Sequence, residues 1–291
     1  MRLVASDMDG TIIDREGRIS VRTVRAFRAC RDAGVEVVFV TGRPPRWLVP
    51  LQEQLDFDGT VICSNGAVMY RLADHKVLEA SLMPQESVFQ AVGIIQKMYP
   101  NAAFAAETIK GFHVEPGFAD KATVDQIGVT PGKLTDTLVA EAEAGAHEAE
   151  QAGSAEPDQD AGVAKLLAKV PGISPDDFLA GVADAVGHLV SVTHSSPGQA
   201  LLEMALPEVN KAAALERFAA GLGIGAKDVV AFGDMPNDIQ MLGWAGHGYA
   251  MASGHPRAIA AANWVAPAFA ADGVAQVLEA RLAGLNETAP A

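Results

Sequence analysis

Short, unbroken apolar runs alternate with longer amphipathic segments through the first 66 residues. The runs "RLVA" (2–5), "VEVVFV" (35–40) and "GTVICS" (59–64) lack an alternating polar face, so they predict strands buried on both sides. Between the first two lies "SVRTVRAFRACRDAG", a helical segment with Ser20 as N-cap and Gly34 as its stop. "TGRPPRWLVPLQEQL" after the second run reads as a loop opening into a helix. Buried strands separated by helices predict a parallel sheet covered on both faces.

The same grammar returns near the end of the chain. "NKAAALERFAAGL" predicts a helix, "DVVAFGD" a strand, "MPNDIQMLGWAG" a short helix, "GYAMAS" and "NWVAP" two more strands, and "DGVAQVLEARLAG" a closing helix. The middle breaks the pattern. "GAVMYRLADHKVLEASL" suggests a hairpin, "PQESVFQAVGIIQKMY" a helix, and "SVTHSSPGQALLEMAL" two antiparallel strands around Pro197 and Gly198. Residues 141–162 hold seven acidic residues and no Lys or Arg, which predicts a solvated helix end followed by a mobile loop. The architecture expected is α/β: a Rossmann-like parallel-sheet core from 1–83 and 207–291, interrupted by an α+β insertion over 84–206.

Composition narrows the function classes. The 291 residues carry a formal net charge of −14, which argues against a nucleic-acid binder or a partner of anionic membranes. An anionic substrate would need a local positive site against that field. Cys30 and Cys63 have no CxxC spacing and read as small core residues, and no run is long enough to span a bilayer. With no targeting leader in "MRLVASD", a cytoplasmic setting is expected, and a monomer or weak homodimer.

Ligands of open α/β sheets gather beyond the carboxyl ends of the strands. The first run ends in "ASDMDGTIID", where Asp7 and Asp9 share a face if strand geometry continues. Those residues read equally as a turn or as a paired-carboxylate site. The second run ends in Thr41, Gly42 and Arg43, the third in Asn65 and Gly66, and the "VVAF" run in "GDMPND", with Lys211 opening the helix before it. Turn formation alone does not account for so many carboxylates, cations and amides at strand ends. Phosphoryl transfer is one chemistry that asks for such a set. Phosphate monoesters need barrier reductions of up to ~20 kcal/mol or more. A carboxylate nucleophile, a proton shuttle, a divalent cation and donors for the phosphoryl oxygens are the means.

"DMDGT", "TGR", Lys211 and "GDMPND" occur in the order and spacing of the haloacid dehalogenase (HAD) superfamily, which the chain resembles from about residue 3 to 280. "SNGA" and the large insertion before Lys211 resemble its Cof-type subgroup, whose cap lies between the second and third motifs. The resemblance implies Asp7 as nucleophile and Mg²⁺ ligand, and Asp9 as general acid and base with its backbone carbonyl on the metal. It implies Asp234 as the third protein ligand, with Asp238 behind it orienting metal-bound water. Thr41 and Lys211 would bind the phosphoryl group, Lys211 also neutralising Asp7. Gly10, Gly42 and Asn237 would approach the phosphate, and Arg43 and Asn65 would meet substrate or cap. Asp9 favours hydrolysis over the chemistry of relatives that lack it. The insertion is expected to set specificity, with Glu107, His113, Ser195, Ser196 and Gln199 as candidates.

Other residues have plainer readings. Asp14 reads as a turn residue, and Glu203 and Glu208 as surface charges or salt-bridge partners. His113, His188 and His194 read as surface or satisfied structural histidines, and no spacing suggests zinc. "GLGIG" follows a helix rather than a strand, so it is a helix end rather than a dinucleotide loop. Trp47, Trp244 and Trp264 are expected in packing roles. The function expected is a Mg²⁺-dependent phosphatase of small phosphorylated metabolites, sugar or polyol phosphates foremost. A phosphomutase of the same superfamily, or a non-catalytic phosphate sensor, are the alternatives.

Overall fold

The computed structural model describes residues 1–151, 161–196 and 198–288. Most of the loop expected in the acidic segment lies outside them, as does Pro197. The chain opens with β1 (Leu3–Ser6), α1 (Val21–Asp32), β2 (Glu36–Val40), α2 (Val49–Leu55), β3 (Thr60–Cys63), β4 (Val68–Arg71) and β5 (Lys76–Ala80). It continues through α3 (Gln85–Met98), β6 (Ala103–Glu107), β7 (Phe112–Val114), α4 (Lys121–Ile127) and α5 (Leu134–Gln151). Then come β8 (Lys165–Lys169), α6 (Pro175–Val186), β9 (Ser191–Thr193) and β10 (Leu201–Ala205). It closes with α7 (Lys211–Gly221), β11 (Val229–Gly233), α8 (Ile239–Trp244), β12 (His247–Met251), α9 (Pro256–Ala261), β13 (Trp264–Ala266) and α10 (Gly273–Thr288).

Two compact units result: Met1–Glu79 with Asn210–Ala291, and Ala80–Val209. The first is built on an eight-stranded sheet of order β13-β12-β11-β1-β2-β3-β4-β5. From β13 to β3 the neighbours are parallel, and β4 turns back antiparallel on β3. β1 sits in the middle, with Ala5 level with Ala231 on one side and Val38 on the other. Leu3, Ala5, Val38, Val40, Ile62, Val229 and Ala231 form one buried core with Ala214 and Leu215 of α7 and Met241 and Leu242 of α8. Phe39 packs edge-on against Phe27 and Phe57. Central strands buried on both faces explain the unbroken apolar runs.

Helix limits follow from local chemistry. Ser20 accepts the Thr23 N–H at the start of α1, and Gly34 takes the left-handed conformation after its end, with φ +74°. The GLGIG segment closes α7, with Gly223 at φ +65°. Asp14 accepts the N–H groups of Glu16 and Arg18 in a turn.

The second unit has a five-stranded antiparallel sheet of order β7-β6-β8-β10-β9. Phe104, Leu166, Leu202 and Met204 of that sheet share a core with Val88 and Ile95 of α3 and Phe178 and Val182 of α6. Glu203, expected as a surface charge or a salt-bridge partner, is a buried salt-bridge partner, to which Lys165 donates at 3.0 Å. The two residues stand on adjacent strands facing the same side, and two charges leaving water together do so most cheaply as a pair. Trp264, on the edge strand β13, packs against Tyr249 and His247 with ring centroids 5.6 and 5.1 Å away while staying 42% exposed, and Trp47 is 46% exposed under the Arg46 guanidinium. No helix among the described residues is long and apolar enough to cross a membrane.

Candidate active site

Parallel pairing brings the residues after β1, β2, β3 and β11 to one edge of the sheet. The Asp7 N–H donates to Phe232 O at 2.9 Å, which carries the β1–β11 pairing one residue beyond the strand. Asp7 is thereby held on backbone rather than on a free loop, with only 5% of its surface exposed. Lys211 is the first residue of α7, whose N-cap Asn210 accepts the Ala213 N–H at 2.9 Å. Its side chain is fully buried, and Nζ donates to Asp7 Oδ1 at 2.5 Å and to Asp238 Oδ1 at 2.6 Å. Gly66 allows this approach. A side chain there would sit 2.5 Å from Asn210 O, and its φ of +104° suits glycine.

Asp238 organises the loop after β11. Its Oδ2 accepts the N–H groups of Asp234 and Met235, each at 2.9 Å, while Oδ1 takes Lys211. The side chain of Asp234 lies over the turn that follows Asp7, where Thr11 Oγ1 donates to its Oδ1 at 3.3 Å. Gly10, at φ +78°, makes room: a Cβ would fall 2.4 Å from Asp234 Oδ2. One oxygen from each of Asp7, Asp234 and Asp238 lies within 4.8 Å of the others.

The remaining predicted residues form the rim. Thr41 is fully buried, its N–H donating to Ile62 O at 2.8 Å, and its Oγ1 accepts the Arg43 N–H at 3.0 Å. Gly42 lies between them. The Arg43 guanidinium donates to both oxygens of Asp9, from Nε at 2.8 Å and Nη2 at 2.6 Å. Ser64 and Asn65 both take positive φ, +49° and +57°, a left-handed pair that clusters at functional sites. Asn65 Oδ1 accepts Asn237 Nδ2 at 3.0 Å, tying the β3 end to the β11 loop, while the buried Asn237 Oδ1 has no hydrogen-bond partner among the described residues. All eleven predicted site residues thus lie in the first unit, around the carboxyl ends of four strands.

With all three carboxyls ionised, the one buried ammonium would leave two negative charges in excess. Burial drives the Asp7 carboxyl up to about 7, with Lys211 pulling it down and Asp238 and Asp9 pushing it further up. Burial does the same to Asp234, up to about 8, reinforced by Asp7 and Asp238. Burial disfavours the Lys211 charge, yet Asp238 and Asp7 outweigh it and hold the ammonium above the ordinary lysine range. Such a donor set, all oxygen and short of positive charge, suits a hard divalent cation.

Sequence reading overlooked some supports. Thr11 bonds Asp234, and the His255 N–H donates to Asp234 O at 2.7 Å from the segment beyond β12. "ASGHP" after "GYAM" was the available signal, a fifth parallel strand end carrying turn residues. The pairing of Arg43 with Asp9 had no signal, since 34 residues separate them. Among the insertion candidates, His113 contacts Glu141 at 3.0 Å, Ser195 donates to Glu203, and Glu107 is buried. His194 contacts Asp176 at 3.1 Å.

A family model for the haloacid dehalogenase-like hydrolases matches residues 4–278. The phosphoglycolate phosphatase of Methanoculleus marisnigri is 26% identical over 279 residues, covering 96% of both chains. The pyridoxal phosphate phosphatase YbhA of Escherichia coli is 25% identical over 283 residues, 97% of this chain and 98% of that one. Among solved structures, the HAD subclass IIB sugar phosphatase BT4131 superposes with a TM-score of 0.73 at 21% identity, covering 97% of this chain and 99% of that one.

Proposed function

The chain belongs to the haloacid dehalogenase-like hydrolases and is a phosphoric monoester hydrolase, and on that premise we propose that it is a Mg²⁺-dependent phosphatase of sugar or polyol phosphates acting through an aspartyl-phosphate. The carrying observation is the buried Asp7–Lys211–Asp238 unit beside Asp234. Lys211 anchors Asp7 Oδ1, which leaves Oδ2 for attack on phosphorus. As the Oδ2–P bond forms, the ester P–O bond breaks, and the leaving oxygen takes a proton from the Asp9 carboxyl. Water then loses a proton to the Asp9 carboxylate and attacks the phosphorus, breaking the Asp7–phosphorus bond and releasing inorganic phosphate. Atoms balance as ester plus water to alcohol plus phosphate.

The residues fit the metal this reading requires. Two neighbouring carboxyls pushed up to about 7 and 8 by burial and by one another are a pair whose ionised form a divalent cation would stabilise. Asp7, Asp234 and the Asp9 backbone carbonyl would hold Mg²⁺, with Asp238 fixing the Asp234 loop behind them. Bound there, the ion would shield Asp7 from the phosphate's charge and polarise phosphoryl oxygens. Lys211, the Thr41 hydroxyl, the Asn237 amide and backbone at Gly10 and Gly42 would bind the transferring group, with Asn65 bracing Asn237. The relatives above act on small phosphate esters, which supports a small phosphorylated metabolite as substrate.

The test is a phosphate-release panel of sugar, polyol and carboxylate phosphates, with Mg²⁺ and with chelator. Release confined to the Mg²⁺ arm is expected. Isomerised product without release, or equal release in chelator, would overturn the proposal.

A further inference from the structure

We infer that Arg43 is the positioning residue for Asp9, holding its carboxylate at the leaving-group side by a two-point guanidinium clamp. The inference rests on the phosphatase reading above and adds to it a residue that acts through the acid–base group rather than on the phosphate.

The two partners differ in how firmly they are held. Asp9 lies three residues beyond β1, in an isolated bridge with Ile13 just before the turn, and its side chain is 55% exposed. It takes Nε of Arg43 on Oδ2 and Nη2 on Oδ1, a fork that fixes the carboxylate plane as well as its distance. Arg43 is rooted on three sides. Its N–H donates to Thr41 Oγ1 at 3.0 Å, its carbonyl accepts the Ser64 N–H at 3.0 Å, and Nη1 donates to Trp47 O at 3.3 Å. Its side chain is 19% exposed. A fixed cation therefore orients a carboxylate that is otherwise free to turn. Without the fork, an exposed aspartate samples several staggered rotamers, of which one aims at the leaving oxygen.

The chemistry explains why orientation there matters. Before donation the Asp9 carboxyl carries its proton on one oxygen and keeps the guanidinium on the other; giving the proton to the leaving oxygen leaves the carboxylate that both Nε and Nη2 then hold. Lysine cannot replace arginine in this role, because an ammonium is a point charge with no plane to impose. Esters of alkyl alcohols need the proton, since an alkoxide leaves poorly. p-Nitrophenyl phosphate does not, since nitrophenolate leaves unaided. A residue acting through Asp9 must therefore matter more to alkyl than to aryl esters.

The experiment measures kcat/KM for p-nitrophenyl phosphate and for the alkyl phosphate turned over fastest in the release panel, on each of five proteins. These are the unaltered enzyme, Arg43→Gln, Arg43→Lys and Asp9→Asn, followed by the double variant Arg43→Gln with Asp9→Asn. Because both substrates are read on one preparation, partial misfolding cancels in their ratio. Arg43→Gln is expected to lower the alkyl-to-aryl ratio about tenfold or more, toward the loss caused by Asp9→Asn. Arg43→Lys should recover little of it. In the double variant the ratio should match that of Asp9→Asn alone, the signature of two residues acting as one unit. Equal losses on both substrates would overturn the inference and make Arg43 a phosphate contact or a structural residue. Additive effects in the double variant would overturn it too. Failure of the phosphatase reading looks different: the unaltered enzyme would release no phosphate from either ester.

Discussion

Lys211→Met removes one ammonium while keeping the length and apolar stem of the side chain. In the structure that ammonium is fully buried and bonds Asp7 at 2.5 Å and Asp238 at 2.6 Å, with Asp234 alongside. Removing one partner of a buried ion pair costs about 3–5 kcal/mol, because the other charge stays buried and uncompensated. At ~2–4 °C per kcal/mol for a protein of this size, the melting temperature of the metal-free enzyme should fall by roughly 6–20 °C at pH 8. The loss should shrink in acid, and the sign follows from proton binding. The Asp7 and Asp234 carboxyls stand raised in the folded protein, so between about pH 4 and 8 the native state holds more protons than the unfolded chain. Stability therefore falls as pH rises through that window. Lys211 pulls both carboxyls down, so its removal extends the window upward and steepens the fall. Thermal unfolding in chelator, followed by circular dichroism at pH 5 and pH 8, reads the effect directly. A loss below about 1 kcal/mol at pH 8, or an equal loss at both pH values, would refute the buried-charge argument.

Asp7→Asn should abolish phosphate release yet raise the melting temperature of the metal-free protein at pH 8, since it removes a carboxylate that burial, Asp238 and Asp9 disfavour more than Lys211 favours it. Added Mg²⁺ should stabilise the unaltered enzyme more than this variant, and a melting temperature lowered in chelator would count against the charge balance drawn here. Gly10→Ala forces a Cβ to within 2.4 Å of Asp234 Oδ2 at a backbone angle that disfavours side chains. It should cost on the order of 1–3 kcal/mol in unfolding experiments and weaken Mg²⁺ dependence of turnover, and an unchanged Mg²⁺ titration would refute that crowding argument.

Much of the site was legible because it is local. Asp7, Thr41, Asn65 and Asp234 each follow an apolar run, and a buried strand's end is visible in sequence as the point where that run stops. Gly10 and Gly66 were legible as turn residues, but the reason each must be glycine is a contact with Asp234 or Asn210, far along the chain. Lys211 was marked by spacing alone. Nothing in "NKAAAL" says that its ammonium is fully buried against two carboxylates. Glu203 was legible as a possible ion-pair partner, but its burial and its pairing with Lys165, 38 residues away, are decided by its strand neighbours.

By itself, then, the sequence determined the strand ends, the helix limits and the residue types at the site, because alternation, capping and turn chemistry act over a few residues. Only the tertiary structure decided which charge meets which. The opening pair "DMD" shows the division. Two aspartates one residue apart face different partners: Asp7 turns inward to a buried lysine 204 residues away, and Asp9 outward to an arginine 34 residues away. Coulomb energy depends on distance through space and on burial, and a one-dimensional string carries neither.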